Sequence, residues 1–246
     1  MSTAPLPVYV INMPSAVQRR RRMQAELQAA GIRPEWVNAV VGRELAPQAL
    51  ARLYAPDLNR RCFFRPLTPG EIGCYASHLK IWQLMVQRGQ PCALVLEDDV
   101  SPGAELPVVL EALARRSDEW DMVKLVGRER EAPRQRWPLV AGVDLVRYRR
   151  VPSLTGAYAI SLEGARKLTR HLPPFGRPVD VDLRHHWEHG LRLFGALPYP
   201  VQLNEESFTS TIGVNHRGLS WLQRLRKWRY QLEYSWNNFL AGRQPL

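Results

Sequence analysis

Cys92-Ala93-Leu94-Val95-Leu96-Glu97-Asp98-Asp99 is an unbroken apolar run that ends in three carboxylates. An apolar run without polar alternation describes a strand buried on both faces, as in the parallel sheets of α/β proteins. Three adjacent acids at its end repel one another and bear a desolvation cost. A hard divalent cation with oxygen ligands relieves both. The location agrees, because open α/β sheets bind ligands at the carboxyl ends of their strands. The plainer reading is a solvated acidic turn that caps the next helix.

Upstream, Thr68-Pro69-Gly70-Glu71 opens a helix: Thr caps, Pro takes the first helical position and Glu closes a capping box. Ile72, Tyr75, Ala76, Leu79, Trp82 and Met85 follow on a helical period, and Gly89 stops it. At the start of the chain, Leu6 to Asn12 reads as a buried strand. Ser15 with Gln18 predicts a capped helix ending at Gly31, and Trp36 to Val41 predicts a second strand ending at Gly42. That order is a βαβ unit. Residues 43–66 read as a loop with a short helix. Downstream the pattern predicts a helix near 104–116, strands at Met122–Val126, Val143–Tyr148 and Thr155–Ile160, and a helix over Leu162–Leu172. The expected fold is one α/β domain, Rossmann-like with a central, mainly parallel sheet, over residues 1–215.

The chain has 246 residues, 45% hydrophobic and 23% charged, which describes a folded globular protein. Its 34 basic against 23 acidic residues leave a net charge of +11, so an anionic partner is expected. No apolar run is long enough to span a bilayer, and the N-terminus has neither the basic nor the apolar region of a signal peptide. Cys62, Cys74 and Cys92 form no C-x-x-C pair and read as reduced thiols, Cys74 as a small buried hydrophobe. These features argue against a secreted protein, a disulfide scaffold or an integral membrane protein.

Residues 216–246 differ from the rest. Trp221, Leu225, Trp228, Leu232, Trp236 and Phe239 recur at spacings of 4, 3, 4, 4 and 3, one face of an amphipathic helix. Arg217, Arg224, Arg226, Lys227, Arg229 and Arg243 against Glu233 give 217–246 a net charge of +5. An aromatic stripe among cations suits a helix lying in an anionic membrane interface. The plainer reading is a terminal helix packed on the core.

Leu67-Thr68-Pro69-Gly70-Glu71-Ile72-Gly73-Cys74-Tyr75-Ala76-Ser77-His78, followed by Leu94-Val95-Leu96-Glu97-Asp98-Asp99-Val100, resembles glycosyltransferase family 25. This is the lipopolysaccharide-biosynthesis galactosyltransferase group, related to collagen galactosyltransferases. The resemblance continues through Val10-Ile11-Asn12 with Arg19, Gly42, Gly156-Ala157-Tyr158, Gly164-Ala165-Arg166-Lys167-Leu168 and Pro178-Val179-Asp180. It covers most of residues 8–210; Pro14-Ser15 departs from the family's Asp-Arg pair, and the tail after 215 is outside it.

The resemblance implies a nucleotide-sugar transferase of the A-type fold: a metal-dependent, inverting enzyme moving galactose from UDP-galactose to a lipopolysaccharide or lipooligosaccharide glycan. It implies work in the bacterial cytoplasm, peripheral to the inner membrane. Asp99 would be the direct ligand of Mn²⁺ or Mg²⁺, with Glu97 beside it. Glu97 or Asp98 would face the ribose or base, or hold metal-bound water. Asn12 and Arg19 would serve the nucleotide half, and Gly42, Ser77, His78 and Tyr158 would shape the donor site. An inverting transfer needs a general base for the acceptor hydroxyl; Asp180 is the first candidate and Asp182 the second. The plainer readings are a helix cap for Asp180, packing for His78 and Tyr158, and a solvated face for Arg19–Arg22.

Two readings compete. His185-His186-Trp187-Glu188-His189 matches H-x-x-E-H, so His185 and His189 would bind zinc with Glu188 as base of a metallopeptidase. Its third ligand would be Glu205 or Glu206. The net charge and Arg-Trp-rich tail also suit a nucleic-acid-binding protein, but no nucleic-acid-recognition motif accompanies them. The expectation is therefore a transferase with no nucleic-acid partner.

Overall fold

The computed structural model describes residues 6–128, 131–170, 172–204 and 220–242. The chain opens with β1 (Val8–Asn12), α1 (Val17–Ala29) and β2 (Glu35–Asn38), and β2 lies parallel to β1. The βαβ unit forms, but Ser15 does not cap it. Ala16 is the N-cap residue, and no side chain caps the helix. The Ala16 amide bonds the Met13 carbonyl, so the loop turns once more before the helix starts.

Residues 43–66 are more helical than the sequence suggests. They hold α2 (Pro47–Leu53) and α3 (Pro56–Cys62), each with a proline in its first turn. The prolines that obscure the pattern are the helix starts. Next comes α4 (Pro69–Arg88), with the expected Thr68–Glu71 capping box and Gly89 at φ +61°, the left-handed conformation that ends helices. β3 (Cys92–Glu97), β4 (Val100–Pro102), α5 (Leu106–Arg115) and β5 (Met122–Lys124) follow. Then come β6 (Pro133–Val140), β7 (Val143–Tyr148), β8 (Ala157–Ser161), α6 (Leu162–Arg170) and α7 (Val179–Asp182). β9 (Leu193–Leu197), β10 (Val201–Leu203) and α8 (Trp221–Ala241) complete the described chain.

The main sheet has eight strands in the order β2-β1-β3-β8-β5-β9-β7-β6. Following the pairings outward, only β8 and β7 run against the other six, so the sheet is mixed but mostly of one direction. Strand alternation separates two cores. Tyr9, Val95, Met122 and Tyr158 pack on one face with Leu79, Trp82 and Leu168 of α4 and α6. Val10, Leu94, Leu96, Val123 and Ala159 pack on the other with Met23, Leu27 and Leu110 of α1 and α5. The architecture is the expected α/β, Rossmann-like fold.

β6 escapes sequence reading because it is a largely exposed edge strand with prolines and arginines. β4 and β10 form a separate antiparallel pair beside the acidic loop, where the Asn204 amide donates to the Asp99 carbonyl at 3.2 Å. Gly42 and Gly73 let the loop after β2 touch α4 backbone to backbone. A Cβ on Gly42 would meet the Pro69 carbonyl oxygen at 1.9 Å, and one on Gly73 the Val40 oxygen at 2.3 Å.

Candidate active site

β1 and β3 are parallel neighbours, so Asn12 and Glu97 reach the same end of the sheet. Asp98 lies between them in space. Its Oδ2 accepts from Asn12 Nδ2 at 2.6 Å, and its Oδ1 pairs with Arg19 at 3.0 Å. Arg22 donates to the Asp98 carbonyl at 2.7 Å, while Arg20 stacks 4.5 Å from the Trp36 ring. The arginine run is therefore not merely a solvated face: Arg19 and Arg22 hold the acidic loop. Burial raises the Asp98 pKa despite these partners.

Glu97 and Asp99 flank it. Glu97 Oε1 accepts from Thr155 Oγ1 at 2.8 Å and from His78 Nε2 at 3.3 Å. Burial opposes its charge, but His78, Thr155 and Lys124 outweigh that and hold its pKa below the ordinary value. Burial, with the charges of Glu97 and Asp98, pushes Asp99 up to about 6. Three carboxylates with only partial compensation form an oxygen-rich, negatively charged site that suits a hard divalent cation. Asp99 and Glu97, which flank Asp98, are the residues that would hold such an ion.

Behind Glu97 runs a buried chain of hydrogen bonds. Trp82 Nε1 donates to Tyr158 Oη at 2.9 Å, and Tyr158 Oη lies 2.8 Å from His78 Nδ1. An indole only donates and a carboxylate only accepts. The chain therefore runs Trp82 to Tyr158 to His78 to Glu97, with the imidazole proton on Nε2. Cys74, His78 and Glu97 also offer ligand atoms within 4.8 Å of one another. Both His78 nitrogens already serve that chain, and burial keeps the Cys74 thiol protonated by raising its pKa. His78 thereby helps to orient Glu97. Tyr158→Phe would strand the buried Trp82 N–H; we expect a loss of about 1–3 kcal/mol in denaturant unfolding.

Several expected donor-site residues lie behind the site instead. Ser77 is buried, donates to the Gly73 carbonyl at 2.7 Å and accepts from the Val40 amide at 2.8 Å. Gly42 is a packing glycine against α4. His78 and Tyr158 are 0% and 1% exposed, so neither ring can stack on a sugar.

Asp180 and Asp182 part company. Asp182 is buried and accepts from Tyr75 at 2.6 Å, Arg177 at 3.1 Å and His189 at 3.2 Å. These partners outweigh burial and hold its pKa at about 2, which makes it a structural carboxylate and a poor base. Asp180 lines an open cavity of about 620 Å³. Burial pushes it up to about 6 against the attraction of Lys124. The charges of Glu97 and Asp180 both raise the Cys74 thiol, and Glu97 adds to the rise at Asp180.

Lys124 was not anticipated. It ends β5, is 1% exposed and donates to the Leu154 carbonyl. Burial lowers its pKa to about 8, while Asp180 and Glu97 pull the other way. Its only sequence signal is a lysine within the apolar Met122-Val123-Lys124-Leu125-Val126.

The metallopeptidase reading fails on geometry. Residues 183–190 form a 3-10 turn and further turns, so the H-x-x-E-H residues do not share a helix face. Glu188 is held by Arg177 at 2.6 and 3.0 Å, His189 by Asp182, and His185 by the Val181 carbonyl at 3.0 Å. Burial drives His185 down to about 4. Glu205 and Glu206 lie outside the described residues.

α8 docks through its polar aromatic face. Tyr230 meets Phe63 edge-on at 5.7 Å, and Tyr234 packs against His185 and Trp187 at 5.1 and 5.6 Å. The expected stripe points outward: Trp221, Leu225, Trp228, Leu232, Trp236 and Phe239 are 50–72% exposed.

The α/β fold with an acidic loop at the end of β3 was compared with known proteins. The description of glycosyltransferase family 25 (LPS biosynthesis protein) matches residues 6–183. The chain belongs to that family. Procollagen galactosyltransferase 1 of Danio rerio is 30% identical over 93% of this chain and 43% of its own length. Procollagen galactosyltransferase 2 of Homo sapiens is 34% identical over 71% of this chain and 29% of its own length. "Probable inactive glycosyltransferase 25 family member 3" of Rattus norvegicus is 33% identical over 78% of this chain and 37% of its own. The chain thus spans less than half of these curated relatives. All three are animal proteins, so they lend no support to a bacterial inner-membrane location. No helix among the described residues is long and apolar enough to cross a membrane. Family membership implies a nucleotide-sugar donor and a glycan acceptor as partners.

Proposed function

We propose that the chain transfers galactose from UDP-galactose, with inversion, to a membrane-linked glycan of the lipopolysaccharide or lipooligosaccharide kind. The observations that carry this reading are the acidic pair Asp99 and Glu97 at the end of β3, and Asp180, a carboxylate raised to about 6 that lines a cavity and feels the charge of Glu97.

The nucleotide half lies over β1 and the start of α1. Asn12 Oδ1 is buried with no hydrogen-bond partner among the described residues, an acceptor suited to a base N–H or ribose hydroxyl. Arg19 pairs with Asp98 and keeps that acid from repelling the diphosphate. Asp99 and Glu97 would hold Mn²⁺ or Mg²⁺, which would supply Lewis-acid stabilisation of the departing diphosphate. His78 and Thr155 hold Glu97 in place. Asp180 accepts the proton of the acceptor hydroxyl as that oxygen attacks the anomeric carbon. The charge of Lys124 opposes the burial that raises Asp180, and Asp180 in turn opposes the burial that lowers Lys124. In a thermal-shift test with a panel of nucleotide sugars, UDP-galactose with Mn²⁺ should raise the Tm, and chelator should remove the rise. A rise with another nucleotide sugar would keep the mechanism and change the donor.

α8 attaches the enzyme to an anionic membrane surface. Its outward apolar stripe stands among Arg224, Arg226 and Arg229, the charge such a surface needs. Deleting 217–246 is not a clean test, because Lys227, Tyr230 and Tyr234 also wall the Asp180 cavity. Trp228→Ser with Trp236→Ser spares that wall. Each buried Trp is worth about 1.5–3 kcal/mol, so the pair should weaken sedimentation with phosphatidylglycerol vesicles at least about tenfold. Unchanged sedimentation would refute membrane attachment through this stripe.

A further inference from the structure

The cavity that holds Asp180 has a chemistry the transfer reaction alone does not require. Its walls are the segment after α3, Glu71 of α4, Arg150 after β7, residues of 178–184 and α8; no residue of β1, α1 or β3 lines it. It is therefore separate from the nucleotide side. Four cations line it: Arg65, Arg150, Arg184 and Lys227. Arg65 is neutralised by Glu71 through two hydrogen bonds of 2.8 and 2.6 Å. Arg150, Arg184 and Lys227 have no such carboxylate partner among the described residues. They rest on aromatic faces instead, Arg184 at 4.4 Å and Arg150 at 5.0 Å from the Tyr234 ring, and Lys227 at 5.6 Å from Phe64.

Three hydrogen-bonding groups in the same wall are unused. Arg184 Nε, Tyr230 Oη and Tyr234 Oη are buried and have no hydrogen-bond partner among the described residues. Buried polar groups are rarely left so, and three in one cavity mark a place a ligand completes. All three can donate, and excess positive charge surrounds them. Donors and cations together select an oxyanion.

We propose that this cavity is an acceptor subsite for an oxyanion, a phosphate or carboxylate group carried by the glycan close to the sugar that receives galactose. The proposal rests on the reading of Asp180 as base, because the anion fixes the neighbouring hydroxyl against that residue. α8 then has two faces: the outer one meets the membrane, and the inner one, through Lys227, Tyr230 and Tyr234, grips the acceptor's charge.

Calorimetric titration of the full chain with glucose 6-phosphate, glucuronate and neutral glucose, with and without saturating UDP and Mn²⁺, tests this. Glucose 6-phosphate, glucuronate or both should bind at least tenfold tighter than glucose, in the presence of UDP as well as without it. The stronger of the two identifies the anion as phosphate or carboxylate. Tyr234→Phe removes a single oxygen and should weaken that binding several-fold; Arg184→Gln should weaken it tenfold or more. Neither should change the affinity for UDP with Mn²⁺. Equal binding of all three sugars, binding insensitive to both substitutions, or binding abolished by UDP would each overturn the proposal. Failure of the transferase reading looks different: UDP-galactose and Mn²⁺ would not bind, whatever the sugar anions do.

Discussion

Asp99→Asn is expected to lower galactose transfer about 10³-fold or more and to abolish the metal-dependent thermal shift with UDP-galactose. Lewis-acid stabilisation of a departing diphosphate is worth several kcal/mol, and each 1.4 kcal/mol is a factor of about ten. Asn keeps the shape but removes the charge that attracts the cation. The variant should fold well, because Asp99 is a carboxylate whose ionisation the fold opposes through burial and the charges of Glu97 and Asp98. Its pKa is raised above the unfolded value, so its contribution to stability is favourable at low pH and is lost as pH rises through about 6. At pH 7.5, then, the Asp99→Asn Tm should not fall below wild type. Full activity in the variant would remove Asp99 from the metal site.

Asp180→Asn is the second large effect, a loss of about 10²–10⁴ in kcat with the donor's thermal shift retained. The split matters: a donor-site residue would lose both, whereas a base touches only the acceptor hydroxyl. A base must be ionised, so wild-type kcat/KM should rise with pH through about 6, the value to which burial drives Asp180. Asp182→Asn should behave otherwise. Asp182 is held at about 2 by His189, Arg177 and Tyr75, and its loss leaves those partners uncompensated. Depressed below its unfolded value, it stabilises the fold above about pH 4 and loses that effect as pH falls through about 2. Its replacement should lower the Tm at neutral pH by more than Asp180→Asn does.

The local signals that proved legible share one property: the residues that create them are neighbours in sequence. The Thr68–Glu71 capping box, the Gly89 stop and the apolar run into Glu97 are complete within a few positions, and each is found as read. The acidic motif was visible through its own charges at the end of a buried strand, and the proposed general base through family resemblance. Ser15 misled because a turn from Met13 to Ala16 takes the first helical bond. The prolines of 43–66 misled because Pro suits a helix start as well as a loop.

What lay beyond the sequence depends on groups far apart in the chain. Lys124 is at the site only because β5 lies next to β8, and Asp180 and Asp182 differ only in what the fold brings against each. The segment 185–189 had zinc spacing, yet the turn sets His189 against Asp182 and Glu188 against Arg177. The stripe of α8 illustrates both sides. Its amphipathic period followed from the sequence, since a helix of 3.6 residues per turn puts those positions on one face. Which face meets the domain was decided by the tertiary structure: Tyr230 and Tyr234 find Phe63, His185 and Trp187, and the larger apolar face is left to solvent. Periodicity reports which residues share a side, and only packing reports what that side is against.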